Sequence, residues 1–191
     1  MAIADRRSRE QEARHQLIIS TARRLAETEG WEAVTTRRLS AEIEYSQPVL
    51  YKHFARMDAL ADAVAIEGFA ELSDALRAAG AGADTPVIAL RQIARTYLDF
   101  ARENPAVYEA MFTRGTVLQF ATDGAPPQLT EAFAELRRAL VAATETQDAD
   151  TGTEVVWASL HGLATLSRGG RLRPEFDTER LDLLMTRLAG T

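Results

Sequence analysis

The sequence predicts an all-α protein of about nine helices, and three observations carry that expectation. Apolar residues recur at three- and four-residue spacing in nearly every segment with a clear period. Runs alternating polar with β-branched residues are absent, and the breaks fall on Gly, Pro, Asn and capping Ser or Thr. The architecture expected is a three-helix N-terminal domain, joined through a long fourth helix to a larger helical C-terminal domain.

Each element follows from its own signals. Met1 to Arg14 is a charged run outside the first period, expected as a flexible arm over residues 1–13. Leu17, Ile18, Ala22, Leu25 and Ala26 then define a helix that stops at Gly30. Thr35 or Thr36 caps a short helix with Leu39 and Ile43 inward, and Ser46 caps another from Gln47 to about Phe54. Pro48 is tolerated there because first-turn amides have no intrahelical partner. Asp58 opens a long helix with Leu60, Val64, Phe69, Leu72 and Leu76 inward, ending at Gly80 to Gly82. Domains are expected at 14–60 and 61–191, with the boundary inside this helix.

Thr85-Pro86 starts a helix carrying Leu90, Ile93, Ala94, Tyr97, Leu98 and Ala101, and Asn104-Pro105 starts a short one reaching Phe112. Gly115 and Asp123 to Pro127 mark a loop region with a short helical piece expected at 116–121, followed by a helix from Gln128 to Glu145. Val155 through Leu166 contains no charge, so its helix is apolar nearly all round and needs cover on both sides. Ser167 to Pro174 connects it to a last helix bearing Leu181, Leu184, Met185 and Leu188.

Composition narrows the function classes. The chain has 191 residues, 46% hydrophobic and 26% charged, with a net charge of −6, the balance of a folded chain and not of a disordered one. Having no cysteine, it excludes thiol catalysis, disulfides and thiolate metal sites, and three histidines do not make a histidine-rich metal centre. No metal or other cofactor is expected. No stretch reaches the roughly 18 apolar residues of a membrane span, and the start lacks a signal peptide's apolar segment, so a cytoplasmic protein without membrane contact is expected. Glycine-rich phosphate loops, nucleophile elbows and paired-His motifs are absent, which leaves catalysis without a positive signal.

The charge is unevenly placed. Through Arg56 there are ten basic residues against eight acidic, net +2, whereas from Met57 onward there are twelve against twenty, net −8. An acidic body is repelled by nucleic acid, so contact with DNA has to come from the first segment. That segment holds two short helices joined by a tight turn between Thr35 and Phe54, the spacing of a helix-turn-helix. On its outward positions Gln47 suits an adenine edge, Arg37 a guanine edge and Val49 a thymine methyl. Tyr51, Lys52, His53 and Arg56 are donors suited to phosphate oxygens. The arm's Arg6, Arg7, Arg9 and Arg14 fit either a minor-groove contact or a solvated tail. A helical adaptor that binds protein partners is the alternative reading, and an enzyme the less favoured one.

Leu50-Tyr51-Lys52-His53-Phe54, following Thr35-Thr36-Arg37-Arg38-Leu39 and a capped short helix, closely resembles the DNA-binding domain of the tetracycline-repressor (TetR) family, over about residues 14 to 66. The resemblance implies an all-helical homodimer whose C-terminal domain binds a small molecule and then releases a palindromic operator, the behaviour of a bacterial repressor. By position it implies a DNA site of Thr35, Thr36, Arg37, Ser46, Gln47, Pro48, Val49, Tyr51, Lys52, His53 and Arg56, with Arg37 and Gln47 as base readers and Thr35, Tyr51 and His53 on phosphates. Two departures stand out. Glu44 occupies the turn position where the family usually has glycine, so a positive φ there costs about 1 kcal/mol. Met57 replaces a usual lysine and its phosphate contact.

Trp157, His161 and Gly162 resemble a Trp-His-Gly-containing C-terminal domain found in part of the same family. An effector pocket, largely apolar, is expected among Phe69, Tyr97, Phe100, Tyr108, Met111, Phe112, Phe120, Trp157 and His161, with Tyr97 and His161 orienting the ligand. Plain core packing is the bland alternative for most of these. A four-helix dimer interface is expected from Ala158, Ser159, Gly162, Leu163 and Leu166 with Leu181, Leu184, Met185 and Leu188.

Overall fold

The computed structural model describes residues 2–114 and 125–189. Among them are nine α-helices and no strand: α1 (Ala2–Glu29), α2 (Thr36–Ile43), α3 (Gln47–His53), α4 (Met57–Gly80), α5 (Pro86–Glu103), α6 (Pro105–Phe112), α7 (Pro127–Ala143), α8 (Ala149–Arg168) and α9 (Asp177–Ala189). Single 3-10 turns lie at Trp31–Ala33 and Pro174–Phe176. The short helical piece expected at 116–121 lies outside the described residues.

The chain divides into two units, one comprising Met1–Gly68 with the segment that begins at Asn104, the other Phe69–Glu103 with the C-terminal helices. In the first unit α1 packs on α2 and on α6, and α2 on α3. Its core is built from Ile18, Ala22 and Leu25 of α1, Leu39 and Ile43 of α2, Leu50 of α3, Leu60 and Val64 of α4, and Val107, Tyr108 and Met111 of α6, all buried. The α6 helix follows α5 in sequence but belongs with the N-terminal residues, which a boundary at residue 60 or 61 does not anticipate.

Residues 2–13, expected as a flexible arm, are helical and continuous with the rest of α1. The segment is rich in the helix formers Ala, Arg, Glu and Gln. Arg6 Nε also donates to Glu10 Oε1 at 2.8 Å one turn on, and Gln16 to Glu12 at 3.3 Å.

In the second unit α5 packs on α7, α8 and α9, and α7 packs on α8. The core includes Leu72 and Leu76 of α4, Leu90 and Ile93 of α5, Leu136 and Leu140 of α7, Val156 and Leu160 of α8, and Leu181 of α9. Glu135, 4% exposed, is the charged group in this interior. It accepts Arg77 Nε at 2.9 Å and pairs with Arg138 Nη1 at 2.6 Å, so its charge is neutralised where it is desolvated. The α8 helix starts six residues before the uncharged stretch because Asp148 caps it, accepting the amides of Asp150 and Thr151 at 3.0 and 3.2 Å. Those bonds, led by the Thr151 hydroxyl, hold the Asp148 carboxyl below the usual aspartate range. No helix among the described residues is long and apolar enough to cross a membrane.

Candidate nucleic-acid interface

The reading head is assembled by caps and one strained turn. Thr35 has extended backbone and its hydroxyl accepts the Arg38 amide at 3.2 Å, so it, and not Thr36, is the N-cap of α2. At the other end Glu44 adopts φ 55°, ψ 32°, the non-glycine residue with positive φ among those described. The Ser40 carbonyl accepts both the Glu44 and Tyr45 amides there, which ends α2 and redirects the chain into α3. The α3 helix opens with Pro48 in its first turn, and Ser46 occupies the N-cap position with its carbonyl accepting the Val49 amide at 2.9 Å; its hydroxyl makes no cap bond.

Seven residues give α3 two turns, and only Leu50 among them is buried. Leu50 and the following Phe54 anchor the helix, which leaves Gln47, Pro48, Tyr51 and Lys52 in solvent. Tyr51 is 52% exposed. Val49 and His53 flank this face and are half-buried.

The two adjacent arginines of α2 are sorted by geometry. Arg38 pairs with Glu29 at 3.0 Å and with Glu42 at 3.1 Å, while Arg24 takes the second Glu42 oxygen at 2.6 Å. Arg37 is exposed and forms no ion pair among the described residues, and the same holds for Lys52 and Arg56. Positive charge without an internal partner, displayed beside a solvent-facing helix, is an electrostatic footprint suited to phosphate.

His53 has neighbours that the sequence did not signal. His15 of α1 stacks on Phe54 with centroids 4.6 Å apart and lies 5.9 Å from the His53 ring. Burial, then the His15 and Arg14 charges, push the His53 imidazole below its ordinary value near 6.5. Arg14 therefore acts electrostatically on the end of α3, a role for α1 that its periodicity alone could not reveal. An approaching phosphate would act in the opposite sense and favour the protonated ring.

The expected effector residues are distributed over both units. Tyr108 and Met111 are fully buried in the first unit's core, with Phe112 4.7 Å from the Tyr108 ring. Phe69, Tyr97, Phe100, Trp157 and His161 belong to the second unit, and Phe120 lies outside the described residues. There Trp157 Nε1 donates to the Tyr97 hydroxyl at 3.1 Å and its ring meets Phe133 edge-on at 6.5 Å. Burial pushes the His161 imidazole down, and its Nε2 lies 3.4 Å from the Thr165 hydroxyl. Phe133 was missed in the sequence because its helix carries no motif.

Of the residues expected between subunits, those on α8 and α9 behave differently. Ala158 and Leu166 are exposed, Ser159, Gly162 and Leu163 are half-buried, and Val155 on the same side is 56% exposed. Leu181 and Met185 are 0% and 6% exposed, hence core residues of this unit, and leave the expected partner-facing set. The spacing merged two faces of α9: Leu184 and Leu188 are half-buried, whereas Leu183, 59% exposed, points to solvent.

A solvent-facing second helix behind a left-handed turn, carried on a three-helix head in an all-helical chain, defines a helix-turn-helix regulator. The family model for bacterial regulatory proteins of the tetR family matches residues 18–64, and that for the tetracyclin repressor-like C-terminal domain matches residues 90–188, more than half of the chain. The chain belongs to the tetR family of bacterial regulatory proteins. A curated relative, the uncharacterized HTH-type transcriptional regulator YobS of Bacillus subtilis (strain 168), is 32% identical over 99 residues. That match covers 49% of this chain and 49% of the relative, so it spans about half the relative's length. Among solved structures, a protein of unknown function from Rhodococcus sp. RHA1 superposes with a TM-score of 0.74 at 25% identity, over 92% of this chain and 93% of that one. RolR in complex with resorcinol superposes with a TM-score of 0.71 at 19% identity, over 96% and 91% of the two chains, which is a likeness of fold.

Proposed function

We propose that this protein is a cytoplasmic, homodimeric transcriptional repressor that binds a palindromic operator and is released from it by a small-molecule effector. The observation that carries the reading is the solvent-facing side of α3, where Gln47, Tyr51 and Lys52 stand without internal use beside the unpaired Arg37. Gln47 and Arg37 read base edges, Val49 touches a thymine methyl, and Thr35, Thr36, Ser46, Pro48, Tyr51, Lys52, His53 and Arg56 position the head on the backbone. With Met57 in place of a basic residue, Arg56 supplies the phosphate contact at the start of α4. Effector binding in the second unit shifts the population toward a conformation whose two heads no longer match successive major grooves. The aromatic set around Tyr97 and Trp157 supports an apolar, ring-sized effector, as does the likeness of fold to RolR, solved with resorcinol. Catalysis is no part of this reading.

Duplexes selected from a random pool test it. Binding to the selected sequence falls steeply as salt rises. Gln47→Ala relaxes the preference at one position per half-site and costs about 1–3 kcal/mol there, whereas Tyr51→Phe weakens every sequence alike. Equal losses on all sequences for Gln47→Ala would remove its base-reading role.

A further inference from the structure

A cleft of about 280 Å³ opens in the second unit between the later half of α5, the C-terminal end of α8 and the turn that leads into α9. Its floor is apolar, formed by Leu98, Ala101, Leu163 and Ala164 with Leu172 at one side. The rim is cationic: Arg95, Arg102, Arg168 and Arg180 against Asp99 and Asp177. That is an excess of two positive charges in a part of the chain where acidic residues otherwise dominate.

The partners of these groups decide what the cleft can take. Asp177 is paired with Arg180, and Asp99 with Arg102 at 2.8 Å, so both carboxylates are already neutralised. Arg95 is different. It donates through Nη2 to the Thr178 hydroxyl at 2.9 Å and has no carboxylate partner among the described residues. A neutral hydroxyl orients the guanidinium without cancelling its charge, and a guanidinium offers five donors, enough for a bidentate bond to a carboxylate as well. Arg180, only 21% exposed, holds the opposite side of the rim. A cavity of about 150 Å³ holds benzene, so this one accommodates a single ring or branched chain with one substituent.

We infer that this cleft is a binding site for a small monocarboxylate with an apolar body, the carboxylate held by Arg95 and the body on Leu98 and Leu163. The site is separate from the aromatic set around Trp157. Apart from Leu163, which the sequence assigned to the subunit contact, its α8 residues lie on a different face from Val155, Ala158 and Gly162. Selectivity follows from chemistry: a neutral amide of the same shape keeps the apolar contacts but leaves the guanidinium without its ionic partner.

Calorimetric titration of the full chain with benzoate, phenylacetate and 3-methylbutanoate, and with benzamide as the neutral counterpart, tests the site without DNA. At least one carboxylate is expected to bind, with benzamide at least tenfold weaker than benzoate. Arg95→Gln keeps a polar amide, removes the charge and breaks no ion pair among the described residues, and it is expected to lower carboxylate affinity at least tenfold. Arg137→Gln, removing an exposed pair with Asp150 on another face, is expected to leave it unchanged. No binding by any of the three carboxylates, equal binding of benzamide, or undiminished binding to Arg95→Gln would overturn the site. Because protein alone is titrated, such a failure would leave the reading of DNA by α3 untouched.

Discussion

Glu44 carries a backbone conformation that its side chain disfavours, φ 55°, at the point where the reading helix is aimed. Left-handed backbone costs an L-residue about 1 kcal/mol relative to glycine, and the greater freedom of an unfolded glycine returns part of that. Glu44→Gly is therefore expected to stabilise the protein by about 0.5 kcal/mol, read as an increase in the urea midpoint with an unchanged slope. A fall in the midpoint would mean that the carboxylate itself holds the turn. The positive φ was legible only through the family resemblance, which places a glycine at this turn position where the chain has Glu44. The division of labour between Arg37 and Arg38 was half legible. Position offered Arg37 as the proposed base reader, but nothing local showed that Arg38 is taken by Glu29 and Glu42, the first of them on another helix.

The α6 helix is marked by a local signal but capped from a distance. Asn104-Pro105 marks its start, yet the Asn104 side chain makes no cap bond and instead accepts Arg23 Nη2 at 3.0 Å. The cap comes from Glu27, whose two oxygens accept the Ala106 and Val107 amides at 3.0 Å each, and Trp31 Nε1 donates to the Ala106 carbonyl at 2.9 Å. A carboxylate at a helix N-terminus also meets the positive end of the helix dipole. Three bonds thus tie α6 to the end of α1 and the turn that follows it, and the helix packs against α4 where Gly68 leaves no room for a Cβ beside Val107 and Met111. Gly68→Ala is expected to cost about 1–3 kcal/mol through overpacking. Adding Val107→Ala to it should cost less than the sum of the two single changes, since the clash then disappears. Strict additivity in urea denaturation would place the cost elsewhere.

Across the whole chain the uneven charge sets what each part can approach. The first 56 residues carry net +2 and the remainder −8, so the first segment is the part electrostatically suited to approach DNA, while the acidic remainder is repelled by a duplex. On α8, Val155, Ala158 and Leu166 are exposed with Gly162 half-buried between them, and a second copy of the chain is the proposed partner of this stripe. Gly162 makes a clean test. A Cβ added there meets nothing within 4 Å, so Gly162→Arg is compatible with the folded single chain and acts only on association. Light scattering is expected to report monomers with unchanged helicity; a dimer of undiminished stability would remove α8 from the contact. Loss of the dimer is also expected to weaken operator binding, because two heads one helical turn apart bind as a unit.

Helix positions and the exposed face of α3 could be read from the chain because each depends on residues within about two turns of one another: periodicity and caps are local properties. Which helices close on which could not, since a cap supplied by Glu27 to Ala106, an ion pair between Arg77 and Glu135, or a ring donor from Trp157 to Tyr97 joins residues dozens of positions apart. The same limit explains α9, where spacing alone assigned Leu181 and Met185 to a partner. Packing against the chain's own core decided otherwise, because burying an apolar face requires a neighbour, and only the tertiary structure says whether that neighbour belongs to the same chain.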